Sequence, residues 1–466
     1  MNLNILQQIP AYDQAKLERE YEHIMKDFHY KIIVLDDDPT GIQKVHGIHV
    51  YTNWDEESIL DGFQSEQNMF FILTNSRAFS EAKTVEVHEA ITNRVKKISE
   101  QLNIPFLIIS RGDSTLRGHY PLETATINRV LGGKMDGELL IPFFKEGGRY
   151  TIENIHYVKM NDELVPSGET EFAKDRTFGY KSSHLGEYIE EKTKGEFKKD
   201  SITYISLDDL RAFNLEKITD QLMKVENFNK VVVNAISDDD LKVLSIALIK
   251  AIQAGKQFLF RTAASFTKII GHIPDKGLLS KDDMIISDST GAGLIIVGSH
   301  VNKTTQQLNE LFTLDFVKQI EFNSDLVLDD EKFEAEINAK IKELEESIAN
   351  GQTTVIYTKR KRLDLGEGMR EKELALSVKI SNGLTRIIQS LQSRPKYVIA
   401  KGGITSSEIG TTALGVKKAL VLGQALPGIP VWQTDQGCKY PSMPYIIFPG
   451  NVGEVSDLKT IVSILK

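Results

Sequence analysis

Three consecutive carboxylates, Asp36-Asp37-Asp38, followed by Pro39-Thr40-Gly41, form the densest group of would-be catalysts in the chain. Like charges this close repel, so the turn is costly unless a cation, a hydroxyl donor or a basic neighbour answers it. Asp37 and Asp38 can act as a general base toward a substrate hydroxyl or as ligands for a magnesium ion. A solvated acidic turn is the plain alternative. No metal-ligand set can be named from the residues alone.

Two further polar strings stand near it. One is Thr74-Asn75-Ser76-Arg77; the other is Arg111-Gly112-Asp113-Ser114-Thr115-Leu116-Arg117-Gly118-His119. Arg77, Arg111 and Arg117 offer forked donors that match a carboxylate, and the hydroxyls of Ser114 and Thr115 suit a hydroxylated ligand. A single arginine after a strand is ordinarily a surface residue. Three on neighbouring strands of one sheet point to an anion site.

A third set lies in the last third of the chain. Gly298-Ser299-His300, Lys401-Gly402-Gly403-Ile404-Thr405 and Pro449-Gly450-Asn451-Val452-Gly453 each follow an apolar run. Glycines let backbone amides approach a phosphate, and a helix N-terminus favours negative charge. One such turn is mere punctuation, but three at one sheet edge suggest a nucleotide. Thr405 and Glu408 have the spacing of a capping box. The basic run Lys359-Arg360-Lys361-Arg362 reads as a solvated face, with a phosphate contact as the alternative. Gly132-Gly133-Lys134 is followed by Met135 and is no Walker loop, His88-Glu89 lacks its second histidine, and Ser299 has no nucleophile-elbow setting.

The elements needed to position these groups are legible as alternating apolar runs and helical periods. Residues 31–35, 70–73 and 106–110 are short buried-type strands, each running into one of the polar turns. Val87, Ile91, Val95, Ile98 and Leu102 mark an amphipathic helix between them, so the unit is βαβ and the sheet largely parallel. Residues 147–183, rich in Gly, Thr and Tyr, read as a hairpin and loop excursion over the site. Strands resume at 231–234 and 258–260. Residues 272–293 carry Pro and Gly among Asp and Ser and mark a boundary. Four strands are expected beyond it, at 294–297, 354–357, 397–400 and 445–448, separated by helices. The expected fold class is α/β with two domains, 1–280 binding substrate and 281–466 binding nucleotide. Each has a largely parallel sheet flanked by helices, with the active site in the cleft between them.

Composition limits the partners. With 466 residues, 41% apolar and 26% charged, the chain suits a two-domain globular protein. A formal charge of −9 argues against nucleic acid or an anionic membrane as a partner. Cys438 is the single cysteine, the N-terminus lacks the apolar core of a signal peptide, and the apolar run 243–252 is short and holds Lys250. A cytoplasmic location is expected. A homodimer is allowed but not required.

On these residues the sequence resembles the four-carbon acid sugar kinase family, which includes threonate, erythronate and 3-oxo-tetronate kinases. The family's Asp-Asp-x-Thr-Gly stands as Asp37-Asp38-Pro39-Thr40-Gly41, its Asp-Ser-Thr-Leu-Arg-Gly as residues 113–118, its Gly-Gly-x-Thr as Gly402-Gly403-Ile404-Thr405, and its final Pro-Gly as Pro449-Gly450. The resemblance spans nearly the whole chain. It implies that Asp37, Arg77, Asp113, Ser114, Thr115, Leu116 and Arg117 bind an acid sugar, and that Ser299, Gly402, Gly403, Ile404, Thr405 and Gly450 bind ATP, with Mg2+. Asp36, the continuation 42–47 and the stretch 150–180 depart from common members, so the substrate's identity does not carry over. Two other readings compete. In one, Asp36-x-Asp38-x-Thr40 is the nucleophile motif of a haloacid-dehalogenase-like phosphatase, with Asp238-Asp239-Asp240 and Lys256 as its distal groups. In the other, the protein is a non-catalytic sensor of a nucleotide and a metabolite.

Overall fold

The structure, a computed structural model, describes residues 2–285, 291–361, 370–450 and 452–466. The chain divides into two compact units, Met1–Asp275 and Lys276–Lys466.

The first unit contains β1 (Lys31–Asp36), β2 (His49–Tyr51), β3 (Met69–Leu73), β4 (Phe106–Arg111), β5 (Gly137–Ile141), β6 (Arg149–Ile152), β7 (Ile155–Met160), β8 (Glu163–Pro166), β9 (Thr203–Ile205), β10 (Asn229–Val233) and β11 (Phe258–Thr262). Eight of these pair in the order β2-β3-β1-β4-β11-β5-β10-β9, every pairing parallel. Strands buried on both faces need unbroken apolar runs, and Lys31-Ile-Ile-Val-Leu-Asp36 and Met69-Phe-Phe-Ile-Leu73 are buried throughout. The helix Glu81–Leu102 covers one face with Val87, Ile91, Val95 and Ile98, which join Ile33, Leu35, Phe70 and Ile72 in one core. Ser80 caps its N-terminus by accepting from the Lys83 amide at 3.3 Å, and Asn103 at φ 54° ends it in the left-handed region.

The chain adds β2 and β3 on one side of β1, then crosses to lay β4 on the other. Strand order therefore reverses at β1, and in open α/β sheets a crevice forms beyond the carboxyl ends at such a point. The polar turns after β1, β3 and β4 all lie at that edge. The excursion over residues 147–183 is a small antiparallel sheet, β6-β7-β8. Its first hairpin turns through Glu153 and Asn154, both at positive φ, the two-residue turn that matches strand twist. A bridge between Thr151 and Ala235 ties it to the main sheet's edge.

The second unit contains β12 (Gly293–Val297), β13 (Lys318–Phe322), β14 (Thr354–Thr358), β15 (Tyr397–Lys401), β16 (Lys418–Leu426), β17 (Ile429–Thr434) and β18 (Pro444–Phe448), ordered β13-β14-β12-β15-β18-β17-β16. The first five are parallel; β17 and β16 add antiparallel. The four strands expected from sequence are present, and β13, β16 and β17 are additional. In β16 buried and half-buried residues alternate strictly, the pattern of a strand with one covered face rather than a helix. Here too the order reverses, at β12, and the glycine turns follow β12, β15 and β18. No helix among the described residues is long and apolar enough to cross a membrane.

Candidate functional site

The three carboxylates at the end of β1 and just beyond it are each answered, and differently. Arg111 Nη1 donates to Asp36 Oδ1 at 3.1 Å. Arg77 forks onto Asp37, with Nη2 to Oδ1 at 2.6 Å and Nε to Oδ2 at 3.2 Å. Asp38 accepts from the Thr40 amide at 2.8 Å, from its hydroxyl at 2.5 Å, and from Arg77 Nη1 at 3.4 Å. The side chains of Asp36 and Asp37 are 1% exposed and that of Asp38 is 24% exposed, so only Asp38 meets solvent. Burial raises Asp36 to about 7 despite Arg111. Burial also pushes Asp37 up, against the pull of Arg77, Arg261 and Arg111. For Asp38, burial is outweighed by Arg77 and the two Thr40 donors, which hold it below the usual carboxylate range.

The same geometry removes support from the phosphatase reading. A nucleophile must reach its phosphate, yet Asp36 is sealed: a Cβ on Gly41 would lie 2.0 Å from its Oδ2. Asp240 forms a capping box with Ser237 at the start of the helix Asp238–Gln253, a structural use of the acidic string. Lys256 donates to Asp136 at 3.1 Å and to the Val225 carbonyl at 2.7 Å, in the turn that enters β11 rather than at the carboxyl edge.

The turn after β4 is held from behind. His156 Nε2 donates to the Ser114 carbonyl at 2.7 Å, Tyr180 to that of Thr115 at 2.9 Å, and Tyr188 to that of Leu116 at 2.9 Å. Burial depresses His156 to about 4, so it is neutral; with Nε2 donating, its Nδ1 takes the Thr151 hydroxyl at 3.0 Å. Arg261 from β11 donates to Ser110 Oγ at 2.8 Å, pairs with buried Glu123, and reaches the Arg117 carbonyl at 3.4 Å. With its carbonyls taken, the turn keeps Leu116 at φ 69°, a costly value for a leucine. Asp113 accepts from Arg117 Nε at 2.6 Å and from the Thr115 hydroxyl. Burial opposes its charge, but Arg77, Arg117 and Thr115 hold it far below the usual range. Arg261, His156, Tyr180 and Tyr188 were not among the expected site residues.

In the second unit the glycine turns crowd around Ser299. A Cβ on Gly402 would lie 3.0 Å from Ser299 Cβ, one on Gly450 3.3 Å from Ser299 Oγ, and one on Gly298 2.3 Å from Thr405 Oγ1. Gly402 also has φ 120°, open only to glycine at low cost. A cavity of about 410 Å³ opens here, lined by Ser299, Gly402, Gly403, Ile404 and Thr405, with Leu376, Ile380 and Leu384 of the helix Arg370–Ser390 as its apolar wall. That combination, a broad apolar wall and a glycine rim, suits a base and its phosphates. The capping box expected of Thr405 and Glu408 is not formed: Gly402 is the N-cap of the short helix Gly403–Glu408, and Thr405 lies inside it. Gly450 lies with this group; Asn451 falls outside the described residues.

Cations clamp these turns from behind. Lys401 Nζ donates to the Pro449 carbonyl at 2.5 Å and the Gly450 carbonyl at 3.3 Å, and Lys303 Nζ to that of Gly453 at 3.0 Å. Burial, then the neighbouring Lys303, lowers Lys401 to about 7. Arg360 is no solvated-face residue: it is half-buried and donates to the Ser299 carbonyl at 2.6 Å and Thr305 Oγ1 at 3.0 Å. Arg362 falls outside the described residues.

Comparison with known proteins agrees with this division. Residues 32–270 match the model of a sugar-binding N-terminal domain, and residues 294–458 that of a nucleotide-binding C-terminal domain. No curated protein gives a significant match. Among solved structures, a Haemophilus influenzae protein of the DUF1537 family superposes with TM-score 0.63 at 14% identity, over 93% of this chain and 100% of that one. A Salmonella typhimurium LT2 protein with a provisional tRNA synthase name gives 0.66 at 14% identity, over 92% of this chain and 98% of that one. At such identity the likeness speaks for the fold alone. With both domain models matched in order along its length, this chain belongs to the four-carbon acid sugar kinase family.

Proposed function

We propose that the protein is an ATP-dependent kinase that phosphorylates a hydroxyl of a small, four-carbon-type acid sugar by direct in-line transfer. The observation that carries this reading is the segregation of chemistry between the matched domains. Carboxylates and arginines gather at the sheet edge of the sugar-binding domain, and a glycine-rimmed cavity lies in the nucleotide-binding one. Phosphoryl transfer asks for positioning and charge neutralisation more than for covalent help, which is what these two sets offer.

Asp38 is the carboxylate a substrate can reach, and it takes the proton of the attacking hydroxyl. A low basicity suits a loose transition state, in which that proton leaves late. Asp37 holds Arg77 in place and keeps the local charge balanced. Ser114, Thr115, Leu116 and Arg117, with Asp113 orienting Arg117, contact the acid sugar. Ser299, Gly402, Gly403, Ile404, Thr405 and Gly450 receive ATP, the glycines letting the backbone come close to the phosphates. Among the described residues no group of three His, Cys, Asp or Glu could hold a metal. Mg2+ commonly binds through substrate phosphates and retained waters, so these residues fit a metal that arrives with ATP and neutralises its phosphate charge. The lone, buried Cys438 accords with a reducing, cytoplasmic setting.

Single substitutions Asp37→Asn and Asp38→Asn test the assignment. Each is expected to lower acid-dependent turnover, Asp38→Asn by roughly 10²- to 10⁴-fold, while titration calorimetry shows ATP binding unchanged. Full activity in Asp38→Asn would remove the proposed base, and full activity in Asp37→Asn the positioning role of Asp37.

A further inference from the structure

The cations at the sheet edge of the first unit are almost all neutralised in place. Arg77 is taken by Asp37 and Asp38, Arg111 by Asp36, and Arg261 by Glu123. Arg117 gives its Nε to Asp113, leaving Nη1 4.0 Å from Asp175. Arg149 is the exception. It opens β6 and is half-buried, its Nε is buried without a partner, and its side chain makes no hydrogen bond or ion pair among the described residues. Its guanidinium lies over the Phe172 ring at 5.6 Å, and Arg117 lies over the same ring at 5.1 Å.

We propose that Arg149 and Arg117, stacked on Phe172, form the seat for the anionic end of the substrate, so that the excursion over residues 147–183 sets the preference for an acid over a neutral polyol. The inference rests on the kinase reading and adds to it a specificity residue outside the family motifs. Two guanidinium groups on one ring repel, and a partly buried cation with an unmet N–H is expensive. Burial loosens the hold of Arg149 on its proton, Asp113 opposing it and Arg117 adding to it. A planar carboxylate relieves both costs at once, because it accepts from two forks and neutralises the excess charge. The seat is built before the ligand arrives. β6 pairs with β7, Arg149 opposite Val158, and His156 and Tyr180 from the same excursion grip the turn that carries Ser114 and Thr115. The Ser114 hydroxyl is then available to the sugar's own hydroxyl groups, while that of Thr115 stays on Asp113.

Calorimetric titration with erythronate, threonate and uncharged erythritol, against the wild type, Arg149→Met and Arg149→Lys, tests this. The wild type is expected to bind at least one of the acids more tightly than erythritol. Arg149→Met should weaken that acid by roughly 10- to 100-fold, the loss expected for a charged hydrogen bond, with ATP and erythritol binding unchanged. Arg149→Lys, which keeps the charge without the fork, should fall between, and it decides the matter if the methionine variant does not fold. An Arg149 variant that folds and binds the acid as the wild type does overturns the inference and leaves the kinase reading standing. A wild type that binds neither acid overturns both.

Discussion

In the first unit the turn after β4 gives the carbonyls of Ser114, Thr115 and Leu116 to His156, Tyr180 and Tyr188; in the second, Pro449, Gly450 and Gly453 give theirs to Lys401 and Lys303. Both edges fix a turn by occupying its carbonyl acceptors. The clamps differ in charge. Neutral phenols and a neutral imidazole hold the first turn, so the field there is set by Asp113, Arg117 and Arg149 and can be tuned to one small acid. Amines hold the second set; Lys401 is lowered to about 7 by burial and by Lys303, and a polyanion bound nearby would favour its charged form. One edge is arranged for selectivity, the other for phosphate.

The comparison is broken most strongly at Gly402. Alanine there is strained at φ 120° and places its Cβ 3.0 Å from Ser299 Cβ. Backbone strain of this kind costs ~1–3 kcal/mol, so Gly402→Ala should weaken ATP binding about tenfold or more in calorimetry while acid binding stays at the wild-type value. Equal loss of both ligands would mean the two edges are not independent. Tyr180→Phe and Tyr188→Phe probe the neutral clamps. Each frees one buried carbonyl, worth ~1 kcal/mol, and should raise KM for the acid several-fold with KM for ATP unchanged; an effect on ATP alone would reverse the assignment.

The smallest effect concerns Asp36. Burial raises its folded-state value to about 7, above the ~4 of an unfolded chain. A raised acid favours the folded state below its unfolded value, and that contribution is lost as pH climbs through about 7. Asp36→Asn removes the term. Its unfolding midpoint relative to wild type should therefore become more favourable between pH 5 and pH 8, by a few degrees in thermal scans. A difference that does not change with pH would show that Asp36 stays ionised throughout.

Much of this arrangement could be read from the chain because strand and function coincide. Asp36-Asp37-Asp38 and the Asp113–Gly118 string each follow a continuous apolar run, so local pattern located both the parallel strands and the chemistry at their ends. The clamps could not be found that way. Ser114 is 42 residues from His156, Thr115 is 65 from Tyr180, and Arg117 is 144 from Arg261, and no periodicity links such pairs. The antiparallel pair β16–β17 escaped for another reason. Its register shifts and Pro430 interrupt the plain apolar run by which the parallel strands were recognised. Arg360 read as surface because it stands in a basic string; its partner is a carbonyl, which no charge pattern reveals.

Release of ADP from MgATP, followed with and without each isomer of erythronate and threonate, puts the central claim to its most direct test. The account predicts ADP release that depends on at least one of these acids, yields a phosphorylated acid in equal amount, and disappears in Asp38→Asn. Phosphate release from sugar phosphates without ATP, or no acid-dependent turnover across the panel despite binding of both ligands, would contradict it.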